Sequence, residues 1–198
     1  MKILAINGSP RAGKTTSFAL KAALESAASV RSDIRTELIE LANYEIRDCI
    51  GCNKCRQSLT CSHDDGFTLL VPTLGDPDVA GIIIGTPVYM GTMTGLCKSF
   101  LDRAIMFRRN GFAWTNVVGG VLAVGQSRNG GQELTIQAVQ AALLVQNMII
   151  VGDGPPYGHY GATLVSGVEG GIEKDELGLT TARNLGRRVA ELAIKLRG

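Results

Sequence analysis

Short apolar runs bounded by Gly or Pro alternate along the chain with stretches whose apolar residues recur at helical spacing. Runs of four to eight Val, Ile and Leu read as strands, and recurrence at i, i+3 and i+4 reads as helix. The pattern predicts strands over Lys2–Ile6, Arg35–Leu41, Val79–Gly85, Val117–Val124 and Met148–Gly152. It predicts helices over Thr15–Ala28, Gly66–Gly75, Thr94–Phe107, Gln132–Leu144 and Lys174–Leu196, with Pro72 counting against the second of these. The third to fifth strands are almost continuously apolar, as in strands covered by helices on both faces. In Thr94–Phe107, Leu96, Phe100, Leu101 and Ala104 share one face and leave Lys98, Asp102 and Arg103 towards water. Strand–helix alternation of this kind implies an α/β fold, a doubly wound five-stranded parallel sheet with helices on both faces. Residues Asp153–Gly171 form the one long irregular stretch, the length at which a lid, a subunit contact or disorder is expected.

With 198 residues and no repeat or long linker, the chain reads as a single domain over 1–198. Basic and acidic residues nearly balance (20 against 18), and the basic ones are scattered, so no nucleic-acid partner is implied. No run approaches eighteen apolar residues, so no membrane span is expected. The opening MKILAINGSP reads as a first strand rather than a signal peptide, which points to a cytoplasmic protein. Only His63 and His159 are present, too few for most hydrolytic designs, and neither carries an evident role.

Four of the five cysteines change the picture. Cys49, Cys52, Cys55 and Cys61 are spaced C-x2-C-x2-C-x5-C within a 49–61 loop. Two consecutive two-residue spacers let a turning loop aim several thiolates at one iron–sulfur cluster. Zinc is the competitor, but zinc sites usually pair two C-x2-C hooks across a longer spacer. Redox thiols or disulfides are the remaining alternative. Cys97, inside a predicted helix beside Leu96, reads as a small buried apolar residue.

In a doubly wound sheet the ligand sits outside the carboxyl ends of the strands. Three loops there are chemically distinctive. The first, Asn7–Ser17, offers hydroxyls, the Arg11 guanidinium and helix N-terminal amides, which suit a phosphate. The second, Thr86–Thr94, offers backbone amides with flat or soft side chains, which suit a planar ring. The third, Gly125–Glu133, is polar and Gly-rich and could close over the same ligand. Gly8–Thr15 also satisfies the G-x4-G-K-[ST] pattern of nucleotide-binding loops. A nucleotidase of that class needs a Mg-holding Asp at a neighbouring strand end, where this chain has Gly85-Thr86 and Val124-Gly125; only Asp153, after the fifth strand, is a candidate, so a flavin phosphate is favoured.

Taken together, AINGSPRAGKTTS, the four-Cys run followed by Asp64-Asp65-Gly66, GTPVYMGTMTGLCKSFLDR and SRNGGQE resemble the iron–sulfur flavoproteins. These lie within the flavodoxin-like group of NAD(P)H-dependent FMN reductases, and the resemblance covers nearly the whole chain. It implies a flavodoxin-like sheet of strand order 2-1-3-4-5. It implies FMN, its phosphate on Ser9, Arg11, Thr15, Thr16 and Ser17. The flavin ring would rest on Pro87, Val88, Tyr89, Met90 and Gly91, with Gly125, Ser127 and Asn129 at its other edge. It further implies a 4Fe–4S cluster on Cys49, Cys52, Cys55 and Cys61. Relatives commonly read Lys-Asn-Gly-Asn-Thr where this chain has Ala12-Gly13-Lys14-Thr15-Thr16, so the hydroxyls that meet the phosphate can differ. The implied function is a flavin-dependent oxidoreductase passing electrons from a ferredoxin-like donor to an unidentified acceptor. Tyr89, Met90 and Met93, with the Phe107–Trp114 segment, are expected to present exposed apolar surface, which points to a homodimer or larger homo-oligomer. The alternative is an NAD(P)H-dependent FMN or quinone reductase whose cysteines are structural or bind zinc.

Overall fold

A computed structural model describes residues 1–198. Its strands are β1 (Lys2–Asn7), β2 (Arg35–Glu40), β3 (Val79–Pro87), β4 (Val118–Gly125), β5 (Ile149–Val151) and β6 (Ala162–Val165). Its helices are α1 (Thr15–Ala28), α2 (Gly66–Leu74), α3 (Gly95–Arg103), α4 (Ile105–Arg109), α5 (Gln132–Val145) and α6 (Glu176–Arg197). The sheet is parallel with order β2-β1-β3-β4-β5, as the resemblance implies. Helices α1 and α6 pack on one face; α2 to α5 pack on the other. Every residue of β3 and β4 is buried, which explains their unbroken apolar sequence. No helix is long and apolar enough to cross a membrane.

Two elements differ from expectation. The fifth strand is split: β5 pairs with Val118–Gly120 of β4, and β6 pairs in parallel with Leu122–Gly125 further along the same strand. Between them Gly154-Pro155-Pro156 cannot continue the ladder, since proline has no amide to donate. The chain leaves the sheet there and rejoins it at Ala162, so the irregular 153–171 stretch contains a strand. The expected Thr94–Phe107 helix is broken at Ala104 into α3 and α4. The expected helix over Gly66–Gly75 forms as α2, with Pro72 inside it. Asp65 caps that helix by accepting from the Phe67 amide, and Phe67, Leu70 and Leu74 bury its apolar face.

Candidate functional site

Because β1, β3 and β4 are neighbours, the three distinctive loops emerge side by side at their carboxyl ends. Thr94 ties the first to the second. Its hydroxyl donates to the Gly8 carbonyl at 2.5 Å and accepts from the Cys97 amide at 3.0 Å, capping α3. A Cβ at Gly8 would lie 2.6 Å from that of Cys97, so only glycine allows this approach. The third loop meets the second at Gly131, where a Cβ would lie 3.4 Å from Val88. All three groups of predicted flavin residues are therefore contiguous.

In the first loop, Ser9 closes a tight turn, its amide on Asn7 Oδ1 and its hydroxyl on the main chain of Arg11. The Arg11 side chain is exposed and makes no hydrogen bond or ion pair within the chain. Thr16, in the first turn of α1, is 1 % exposed and its hydroxyl has no partner. An orphaned hydroxyl, a free guanidinium and a helix N-terminus fit a phosphate. One group here escaped the sequence reading. Glu40 ends β2 directly opposite Asn7 in the sheet register, and its carboxylate accepts from Asn7 Nδ2 (2.6 Å), Ser17 Oγ (2.5 Å) and the Gly13 amide (3.4 Å). The Ser17 hydroxyl is thus engaged by Glu40. An acid at the end of the strand beside β1 is the only sequence signal that could have located it.

The second loop is a tight turn in which Tyr89 and Thr92 exchange main-chain hydrogen bonds of 2.8 and 3.1 Å. Met90 (φ 47°) and Gly91 (φ 81°) are both left-handed, the pairing that defines a type I′ turn. For Met90 that backbone is strained, and the side chain stands fully exposed at the tip. Tyr89 is also exposed, whereas Pro87 is buried and Val88 and Met93 are half-buried. The third loop is shaped by Gln132, which accepts from the Gly130 amide (2.8 Å) and donates to the Ser127 carbonyl (2.7 Å). Arg128 anchors it to α6 through Asp175 at 2.5 Å. Ser127 and Asn129 stay exposed. A cavity of about 380 Å³ opens beside this loop, with His159 in its wall. His159 is held by the wholly buried Asp153, through its amide (2.5 Å) and its ring (3.0 Å).

The cysteine loop lies elsewhere, between β2 and α2 and against α3 and α4. Cys49, Cys52, Cys55 and Cys61 line one cavity together with Arg103 and Arg109. Cys49 and Cys52 are exposed, Cys55 and Cys61 half-buried, and all four are free thiols. No three Cys, His, Asp or Glu side chains converge on a single point as ligands of one ion. Four thiolates spread around one cavity fit a group that meets each sulfur at its own corner. The Ser62 hydroxyl, 3.0 Å from Cys52 Sγ, and the Lys54 amide lower the Cys52 thiol below its usual range. The loop is fastened from outside: Asn110 donates to the carbonyls of Cys55 (2.8 Å) and Ser58 (3.3 Å), and the His63 ring bonds the Asp48 carbonyl.

Arg103, whose place on the helix predicts a solvent-facing side chain, is the pivot of this region. It is buried instead, making two hydrogen bonds of 2.8 and 2.9 Å to Asp65, a third to the Arg47 carbonyl, and lying 4.7 Å over the Phe67 ring. Burial alone would raise the Asp65 carboxyl, but Arg103 and the amides of Arg47 and Phe67 hold it below the ordinary carboxylate range. Cys97 is fully buried, and desolvation pushes its thiol up to about 12, consistent with a packing role. Phe107 and Trp114, expected to add exposed apolar surface, are buried and stacked 4.8 Å apart, with the indole nitrogen on the Leu74 carbonyl. Phe112 is the one large apolar residue of that segment that is exposed.

The NADPH-dependent FMN reductase family matches residues 1–161. An iron–sulfur flavoprotein of Methanocaldococcus jannaschii is 43% identical over 192 residues, spanning 97% of both chains. Another, from Methanosarcina thermophila, is 35% identical over 97% of this chain and 95% of its own. A WrbA-like flavodoxin structure from Agrobacterium tumefaciens superimposes with a TM-score of 0.63 at 22% identity, covering 98% of each chain, which establishes the flavodoxin-like fold. The chain belongs to the NADPH-dependent FMN reductase family, among its iron–sulfur flavoproteins, and is a flavin-dependent oxidoreductase.

Proposed function

We propose that the protein carries, besides FMN, a 4Fe–4S cluster on Cys49, Cys52, Cys55 and Cys61, and relays electrons from a ferredoxin-like donor to an acceptor met at the flavin. One observation carries this reading: four thiolates of one loop share a cavity at the far end of the helix that begins at the flavin loop. Nine residues of helix span about 13 Å at 1.5 Å each, so α3 holds the two sites close together. When bound, the cluster supplies single-electron exchange and FMN collects two electrons. The chain supplies the rest. Arg11, Thr15 and Thr16 bind the phosphate, Ser9 shapes the turn beneath it, and Ser17 is shared with Glu40. The main chain of Pro87 to Gly91 supports one edge of the ring, and Gly125, Ser127 and Asn129 flank the other. Cysteines clustered for a metal centre rather than for a disulfide framework suit a reducing, cytoplasmic setting.

Tyr89 and Met90 project from the flavin loop as exposed apolar groups, the kind of surface that marks an interface. The proposal therefore includes at least a homodimer with FMN near the subunit boundary, where a neighbour's loop covers part of the ring and its cluster lies nearer the flavin. Light scattering on FMN-loaded protein is expected to give a dimer or larger; a fully loaded monomer contradicts this part. The family's description favours a second reading, in which NAD(P)H is the donor and the cysteines are structural or bind zinc. Anaerobic stopped-flow reduction separates the two. Ready reduction by ferredoxin with inertness to NAD(P)H is the expected result, and rapid NAD(P)H oxidation favours the alternative.

A further inference from the structure

We propose that Arg109 is a positioning residue for electrons, raising the reduction potential of the group held by the four cysteines through the uncompensated charge it brings to Cys55. The inference rests on the 4Fe–4S reading. Arg109 Nη1 donates to Cys55 Sγ at 3.2 Å, and no carboxylate pairs with it. The other arginine of the cavity differs. Arg103 is balanced by Asp65, both side chains being at most 2 % exposed, so that pair adds little net charge. Arg108, next in sequence, lies over the Phe112 ring and takes no part in the cavity. Asp48, which precedes Cys49 in the loop, accepts from the Ser99 hydroxyl and forms no ion pair with Arg109. Arg109 is thus the one cation that both lines the cavity and lacks an anionic partner.

The consequence is electrostatic. Taking up one electron breaks no bond and adds one negative charge behind the four thiolates. A cation in contact with one of those sulfurs stabilises the added charge more than the charge already present, so reduction is favoured. A hydrogen bond to thiolate sulfur acts in the same direction. Partial exposure of Arg109 screens the effect without removing it.

The test uses the loaded protein, purified without air, and an EPR-monitored redox titration of the wild type, Arg109→Gln and Arg109→Lys. The glutamine variant keeps a donor and loses the charge; the lysine variant keeps the charge and loses the fork. With iron content unchanged, Arg109→Gln is expected to lower the equilibrium constant for cluster reduction about tenfold, or about 59 mV for a one-electron couple. Arg109→Lys stays within about threefold of wild type (about half of that shift), and Arg108→Gln has no effect. Iron-loaded Arg109→Gln at the wild-type potential overturns the proposal. So does loss of iron from Arg109→Gln with full retention in Arg109→Lys, which makes the residue a holder of the loop instead. Wild-type protein that contains no iron defeats the cluster reading itself, before any potential is read.

Discussion

Replacing Asp65 by alanine lowers the stability of the fold by about 3–5 kcal/mol, the expected cost of stranding a buried charge. Asp65 and Arg103 are among the least accessible charged side chains of the protein, at 1 and 2 % exposure, and each satisfies the other in a two-pronged pair. Asp65 also accepts from the amides of Arg47 and Phe67, so its loss uncaps α2 as well. Asp65→Asn keeps an acceptor for the Phe67 amide but removes the charge, and should recover the capping share of about 1 kcal/mol. Urea midpoints measured under one set of anaerobic conditions decide the matter; a loss below about 1 kcal/mol for Asp65→Ala contradicts it. The pH dependence has a defined sign. The folded carboxyl titrates below its unfolded value of about 3.9. Its contribution is therefore complete above that value and disappears as pH falls through the lower folded pKa. The asparagine variant should lose less stability than wild type over that acid window.

Arg11→Ala is expected to weaken FMN binding on the order of 10- to 100-fold, the worth of one charge-assisted phosphate contact of roughly 1.5–3 kcal/mol. The side chain has no partner within the chain, so its removal should leave stability within about 0.5 kcal/mol of wild type. Fluorescence titration of the apoprotein with FMN measures the affinity directly. Unchanged FMN affinity with collapse of ATP affinity would instead vindicate the nucleotide-loop pattern of Gly8–Thr15.

The sheet was legible because its central strands are buried on both faces, which leaves Val79–Pro87 and Val118–Gly125 with almost no choice but apolar residues. Edge strand β6 was not, since four residues following a Gly- and Pro-rich excursion carry too little periodicity to register. The break between α3 and α4 was hidden for a different reason. Ala104 is an excellent helix former, and nothing local announces the turn.

The cysteine loop declared itself through spacing alone, because its residues are close in sequence. Its surroundings did not. Arg103 and Arg109 meet the loop from 42 and 54 residues beyond Cys61 and Cys55, and an arginine on a helix reads by default as a solvated face. Glu40 stayed invisible likewise, as only the parallel register of β1 and β2 brings it to Asn7. The three loops at the strand ends were legible as contiguous stretches, and the order of β1, β3 and β4 sets them side by side. The buried stack of Phe107 and Trp114 shows the opposite limit, since aromatic residues after a helix suit a core and a ring platform equally.

The central claim, a flavoprotein with an iron–sulfur cluster on its four-cysteine loop, is tested most directly by elemental and flavin analysis of protein purified without air. Air must be excluded, because exposed thiolates released from a damaged cluster are oxidised or pair up. The predicted result is about four iron and one FMN per chain, with broad sulfur-to-iron absorbance beneath the flavin bands that bleaches on reduction. Zinc in place of iron, bound by the same four thiolates, would contradict it.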